Sequence, residues 1–145
     1  MPKKPKAIVF DSWAVIAYLE GEPAAERVAD HIADAHDDGI PLFISVVNAG
    51  EVWYIIAREA SVADADRSVV QLRQLGIEFV DVNWTLAHEA GGYKSRYKMS
   101  FADCFAAALT KHKRALLLTG DPEFKQVEKE ITIHWLQAAA PKSNN

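Results

Sequence analysis

Asp103 lies in SFADCFAAALT, Ser100 to Thr110, and is the only charged residue in that stretch. A carboxylate set in apolar surroundings is costly, so it calls for a partner or a task. Three more acids stand in comparable settings. AIVFDSW closes an apolar run with Asp11, LLLTGDPEF places Asp121 two residues after Thr119, and FISVVNAGEVWYII holds Glu51 as its single acid. Four carboxylates without His or Cys make a hard, oxygen-only donor set, suited to Mg²⁺ or Mn²⁺ rather than Zn²⁺. The chemistry open to such a set is that of a bound divalent ion, which polarises oxygens and lowers the pKa of a bound water, with one carboxylate accepting that water's proton. Each acid also has a structural reading. Asp11 and Asp121 can cap following helices, Pro122 favouring this for Asp121. Ser100 and Asp103 have the spacing of a capping box, and Glu51 can be a solvated helix position.

The elements that position these acids decide between the two readings. Apolar, β-rich runs at 7–10, 42–45, 78–82, 116–119 and 131–135 alternate with helical patterns near 13–19, 23–37, 46–59, 62–75, 84–97, 100–113 and 122–128. Short continuous apolar strands separated by helices predict an α/β fold, a central parallel sheet of about five strands with helices on both faces. Parallel strands share a direction, and crossover helices return antiparallel to them. Asp11 and Asp121 then lie at the carboxyl edge of the sheet, and Glu51 and Asp103 lie in the early turns of helices that begin there. All four converge on the rim where open α/β sheets bind ligands. Two unit charges about 4 Å apart repel by about 4 kcal/mol at an effective dielectric near 20. Capping does not require such convergence. No Lys or Arg adjoins Asp11, Asp103 or Asp121 in sequence, and Arg58 is two helical turns from Glu51. A divalent cation is the natural neutraliser.

Within the apolar stretch, Phe101, Cys104, Phe105, Ala108 and Leu109 form one bulky stripe, while Asp103 shares the other face with Ala106, Ala107 and Thr110. That helix is expected to be buried nearly all round up to Lys111. The 145 residues suit one domain, predicted over 1–137, with a disordered tail over 138–145. Half the residues are apolar and the net charge is −4, so no global basic field marks a nucleic-acid binder. With the four candidate ligands set aside, the remaining 16 acids balance the 16 basic residues. Phosphate contacts need only a local patch, for which Lys94, Arg96 and Lys98 are candidates, with Lys3, Lys4 and Lys6 beside the first strand. Tyr93 and Tyr97 can stack bases or pack in the core. The lone Cys104 excludes an internal disulfide framework and fits a reducing cytoplasm. No apolar run reaches the roughly 20 residues of a membrane span, and the run after MPKKPK is too short for a signal-peptide core. The five histidines show no ligand spacing. A dehalogenase-like phosphatase needs an acid two residues after the first, where Trp13 stands, and a receiver domain needs an acidic pair where FDSW has one acid.

The segments IVFDSWAVIAYL, ISVVNAGEV, MSFADCFAAALT and LLLTGDPEF together resemble a PIN-domain ribonuclease, most nearly the VapC-type toxin of toxin–antitoxin pairs. The resemblance runs from about Lys6 to Trp135. It implies a metal-dependent endoribonuclease that inhibits growth, with Asp11, Glu51, Asp103 and Asp121 as catalytic and metal-binding residues and one or two Mg²⁺ or Mn²⁺ ions. Thr119 maps to the polar residue near the metal, and Ser12 follows the first Asp as in family members. Asn48, one turn before Glu51, has the spacing to support a ligand. Trp13 is bulkier than the small polar residue frequent at its place. The implied partners are RNA, a small VapB-type antitoxin and a second copy of the chain, in a heterotetramer or larger assembly, in the cytoplasm. The alternative is a catalytically inactive scaffold of the same fold that binds RNA or a partner. Trp13, Trp53, Tyr54 and Tyr18 are core residues or parts of a dimer or antitoxin surface.

Overall fold

The computed structural model describes residues 4–136. Lys3 and the tail expected over 138–145 fall outside the described residues. The order of elements is β1 (Ile8–Phe10), α1 (Ser12–Leu19), α2 (Ala25–Asp38), β2 (Leu42–Ser45), α3 (Val46–Glu59), α4 (Val62–Gln74), β3 (Ile77–Val80), α5 (Trp84–Arg96), α6 (Phe101–His112), β4 (Leu116–Thr119), a 3-10 segment (Pro122–Val127) and β5 (Thr132–Trp135). The five strands form one parallel sheet in the order β3-β2-β1-β4-β5. The chain therefore winds outward from β1 in one direction, then returns and continues from β1 in the other. Its topological switch point is the β1–β4 junction, where such folds open a crevice at the carboxyl ends.

Strand alternation divides the interior into two cores. Ile8, Phe10, Leu42, Ile44 and Leu118 face α1 to α4, while Val9 and Leu117 face α5, α6 and the 3-10 segment. Residues 103–110 of α6 are all buried. Ala106, Ala107 and Ala108 have no exposed surface, so their small side chains let the helix press against the sheet and its neighbours. Phe101 departs from the expected stripe. It is half-exposed and leans on Phe105 with ring centroids 4.9 Å apart.

Local signals account for the boundaries. Ser45, Ser61, Asn83 and Ser100 each cap a helix by accepting a backbone N–H. Gly76, at φ +82, makes the turn into β3, so that strand starts at Ile77 and ends before Asp81. Residues 122–127 form a 3-10 helix, tighter than the pattern over 122–128 suggested. Phe124 and Val127, three apart, are both buried, and a period of about three residues per turn puts them on one side.

Leu117 is fully buried at the centre of the α5–α6 core. Leu117→Ala should lower the free energy of unfolding by about 2–5 kcal/mol in chemical denaturation.

Candidate metal centre

Asp11 extends β1 by one residue and caps α1. Its Oδ1 accepts the Ala14 N–H at 2.8 Å, and its Oδ2 accepts the Thr119 hydroxyl. The register explains the second bond: Phe10 pairs with Leu118, so Asp11 is level with Thr119 across the switch point. The Thr119 oxygen also accepts the Asp121 N–H at 3.0 Å. One buried hydroxyl thus fixes the first acid to the backbone of the fourth. Asp121 caps the 3-10 segment through the Glu123 N–H at 2.9 Å.

Asp103 is held from the other side of the crevice. Its N–H donates to Ser100 Oγ at 3.1 Å, the first half of the expected capping box. The reciprocal half is not made by Asp103. The Ser100 N–H donates instead to Glu123 Oε1 at 2.5 Å. Asp103 is thereby left for the crevice. The turn between α5 and α6 is further tied to the 3-10 segment by Gln126, which accepts the Lys98 N–H at 3.1 Å and donates to the Lys98 carbonyl at 3.0 Å. These bonds set the start of α6 against the segment that carries Asp121 and Glu123.

Asp103, Asp121 and Glu123 can each offer an oxygen such that all three lie within 4.8 Å of one another. Asp11 stands beside this trio, near enough that its charge and that of Asp121 both act on Asp103. Burial, then the charges of Asp11, Asp121 and Glu123, push the Asp103 carboxyl up to about 8. Burial and, more weakly, Asp121 push Asp11 up to about 7 against the lowering effect of its bonds from Thr119 and Ala14. The four ion pairs among the described residues lie elsewhere: Lys4–Asp38, Arg67–Asp64, Arg96–Glu130 and Lys111–Glu89. The site therefore consists of carboxylates facing the positive ends of α1, α3 and α6 without a paired side-chain cation. This donor set fits a hard divalent ion, with Asp103, Asp121 and Glu123 as holders and Asp11 adjoining.

The structure does not bring Glu51 into the trio. It is half-buried, five residues into α3 and about 8 Å below the start of that helix. Asn48 lies closer to the rim and is fully buried. Its Nδ2 donates to the Ala102 carbonyl at 3.1 Å and to Ser12 Oγ at 3.3 Å, and the Ser12 hydroxyl donates to the Asn48 carbonyl at 3.3 Å. Asn48 and Ser12 thus tie together the residues next to Asp11 and Asp103. The Asn48 Oδ1 is buried without a hydrogen-bond partner. Glu123 was missed by sequence reasoning. The available signal was Asp-x-Glu across Pro122 at the carboxyl rim, where a rigid turn aims both acids the same way.

The candidate phosphate contacts are largely engaged with the protein. Lys94 Nζ donates to the Met99 carbonyl at 2.6 Å. Arg96 pairs with Glu130 at 3.1 Å and lies over the rings of Tyr93 and Tyr97. Lys98 is exposed. Lys4 and Lys6 precede β1 and so lie at the amino edge, away from the site, with Lys4 on Asp38 at 2.8 Å. Tyr93 is buried in the core, and the Tyr97 hydroxyl donates to Glu130. Trp53 ties α3 to α4 through Asp66, while Tyr54 is exposed with Arg58 stacked on it. No helix among the described residues is long and apolar enough to cross a membrane.

The family model for the PIN domain matches residues 8–130. No curated protein matches the sequence. Among solved structures, VapBC2 from Rickettsia felis bound to a promoter DNA fragment matches with TM-score 0.75 and 12% identity, over 90% of this chain and 99% of that one. VapBC from Salmonella typhimurium bound to DNA gives 0.71 and 14%, over 90% and 98%. VapC20 from Mycobacterium tuberculosis, described as a toxin that cleaves the sarcin–ricin loop, gives 0.66 and 16%, over 83% and 95%.

Raised carboxyl groups have a signed consequence for stability. Their folded values, about 7 and about 8, exceed the ordinary 3.8, so the folded protein binds more protons than the unfolded chain between these limits. Stability contributed by these groups is present below pH 4 and lost as pH rises through 7 and 8. In EDTA the melting temperature should therefore be lower at pH 8 than at pH 6. Asp103→Asn should raise it at pH 8, and Mn²⁺ should stabilise the wild type more at pH 8 than at pH 6. Differential scanning calorimetry measures all three. A loss of stability in the Asn variant would mean that Asp103 serves mainly as a structural hydrogen-bond acceptor.

Proposed function

The chain belongs to the PIN-domain family, and from that premise we propose that it is a metal-dependent endoribonuclease, the VapC-type toxin of a toxin–antitoxin pair. The observation that carries the reading is the trio Asp103, Asp121 and Glu123 at the sheet's switch point, with Asp11 beside it and no side-chain cation to neutralise them. Mg²⁺ or Mn²⁺, one ion or two, bound there supplies Lewis-acid activation of the phosphodiester and of the attacking water. The protein's own part is positional. Asp11, bonded through both oxygens, is the most rigidly placed acid. Thr119 holds it to the Asp121 turn, and Asn48 and Ser12 hold its neighbour to the first turn of α6. A carboxylate of this set with an oxygen free of the ion takes the water's proton. Glu51, half-buried on α3, is the remaining acid of the proposed catalytic set.

The same reading supplies the partners. Several structural neighbours are toxin–antitoxin complexes, which supports a small VapB-type antitoxin as partner. The reading further proposes a homodimer of the toxin and a heterotetramer or larger assembly with the antitoxin, in the cytoplasm. The neighbour that cleaves the sarcin–ricin loop supports RNA as the substrate class.

End-mapping of cellular RNA after a brief pulse of expression tests the activity directly. Wild-type protein should produce discrete new ends and arrest growth, and Asp11→Asn and Asp103→Asn should each lower Mn²⁺-dependent cleavage by on the order of 100-fold or more. Retained cleavage in both variants would exclude the mechanism. Absence of metal-dependent cleavage by folded, Mn²⁺-bound wild type would favour the scaffold reading. The ligand set has its own test, because Glu123→Gln should weaken Mn²⁺ binding in isothermal titration by about tenfold or more, and Glu51→Gln by less.

A further inference from the structure

The histidines show no ligand spacing along the chain, yet the fold brings two of them together. His31 lies midway along α2, and His134 lies on the edge strand β5. Ile133 and Trp135 pack on the α5–α6 core, so strand alternation turns His134 to the other face, toward α2. The two imidazoles meet there with ring centroids 4.4 Å apart and planes at 68°. His31 is half-buried and His134 is exposed, so water and ions reach the pair. Among the described residues neither ring makes a hydrogen bond or an ion pair, whereas His36 on the same helix bonds to the Leu75 carbonyl at 2.7 Å. The surroundings favour a cation. The pair borders a hollow of about 330 Å³ lined by Ile8, Ile40 and Leu116, with Lys4, Asp34 and Asp38 around it. Lys4 is committed to Asp38 at 2.8 Å. Asp30 and Asp34 lie on either side of His31 along α2, and their charges act on it. Burial, then the neighbouring His134, hold the His31 imidazole below its usual value against the opposing effect of Asp34 and Asp30. At neutral pH that ring is uncharged and offers a nitrogen lone pair.

We propose that His31 and His134 form a metal site separate from the acid centre, for a borderline divalent ion of the Zn²⁺ and Ni²⁺ class, which staples β5 to α2. Imidazole nitrogen suits such ions, unlike the all-oxygen set at the carboxyl rim. With Zn–N bonds of about 2.0–2.1 Å, two imidazoles on one tetrahedral ion stand with centroids about 5 Å apart. The pair reaches that separation from 4.4 Å by a small opening, and the hollow beside it has room for the ion and its waters. As the side chains stand, no third His, Cys, Asp or Glu among the described residues completes a set of three with these rings. Water therefore fills the remaining positions, and Asp34 and Asp30 act through their charge. The staple has a mechanical role. The strand β5 is outermost and pairs with β4 alone, so a bond to α2 adds a hold that the sheet does not supply. The pair lies across the sheet from α6 and Asp103, and the inference does not depend on the nuclease reading.

The test is titration of the full chain with Zn²⁺ in millimolar Mg²⁺, which keeps the acid centre supplied with a hard ion. Imidazole nitrogen resonances are followed by NMR alongside isothermal calorimetry. Zn²⁺ should shift the ring nitrogens of His31 and His134 together and leave those of His112, exposed at the end of α6, in place. His31→Gln and His134→Gln should each weaken this Zn²⁺ site by about tenfold or more, while His112→Gln should bind as wild type does. Binding should be weaker at about pH 5.5 than at about pH 7.5, because imidazole must shed its proton to ligate. Zn²⁺ should also raise the melting temperature of the wild type more than that of either variant at positions 31 and 134. Ring nitrogens of His31 and His134 unmoved by Zn²⁺, or undiminished affinity in both of those variants, overturns the inference and leaves the two rings as packing alone. The resonances are read on the wild type, so a variant that fails to fold does not remove the test.

Discussion

Like charge held together by the fold is the constraint on which this molecule's site depends. Three carboxylates share one small volume, and a fourth is buried beside them. Nothing about the separate residues demands this, since each could satisfy its local backbone alone. Indeed Asp11 and Asp121 do cap the helices after them, and Ser100 caps the helix of Asp103. Capping and crowding are compatible because α1, α6 and the 3-10 segment, whose N-termini need acceptors, begin at the rim where the parallel sheet brings its strand ends. The positive helix ends offset part of the repulsion, and the raised carboxyl groups of Asp11 and Asp103 register what remains.

Holding repelling groups in place requires rigid supports, and apart from Glu123, itself one of the acids, the supports are neutral. The Thr119 hydroxyl bridges Asp11 to the Asp121 backbone, and the Asn48 amide bridges α3 to Ser12 and to Ala102. Gln126 and Glu123 fasten the α5–α6 turn to the 3-10 segment. A charged support, such as a lysine, would relieve the repulsion and compete with a metal. Using hydroxyls and amides leaves the negative potential for a ligand.

Much of this was legible from the amino acids. Apolar strand runs alternating with capped helical patterns define a parallel sheet, and the direction of crossover connections alone puts Asp11, Asp103 and Asp121 at one rim. What was not legible depends on side-chain reach. Glu51 and Glu123 both lie close to the rim in sequence terms, yet one sits down a long helix and the other on a proline-stiffened turn that points into the crevice. The capping-box spacing of Ser100 and Asp103 was visible, but its exchange of partner for Glu123 requires knowing that residues 23 positions apart meet. The YKSRYK stretch likewise reads as a basic patch until Glu130, distant in sequence, takes both Arg96 and Tyr97.

The bond from Thr119 to Asp11 spans 108 residues, and the clasp around the α6 start waits for residues 123 and 126. During synthesis the first acid emerges more than 100 residues before the last positions that the centre needs. A nascent polypeptide on the ribosome therefore carries no assembled carboxylate cluster until the 3-10 segment has been translated. A chain truncated before the 3-10 segment can contain most of the sheet and still lack the centre.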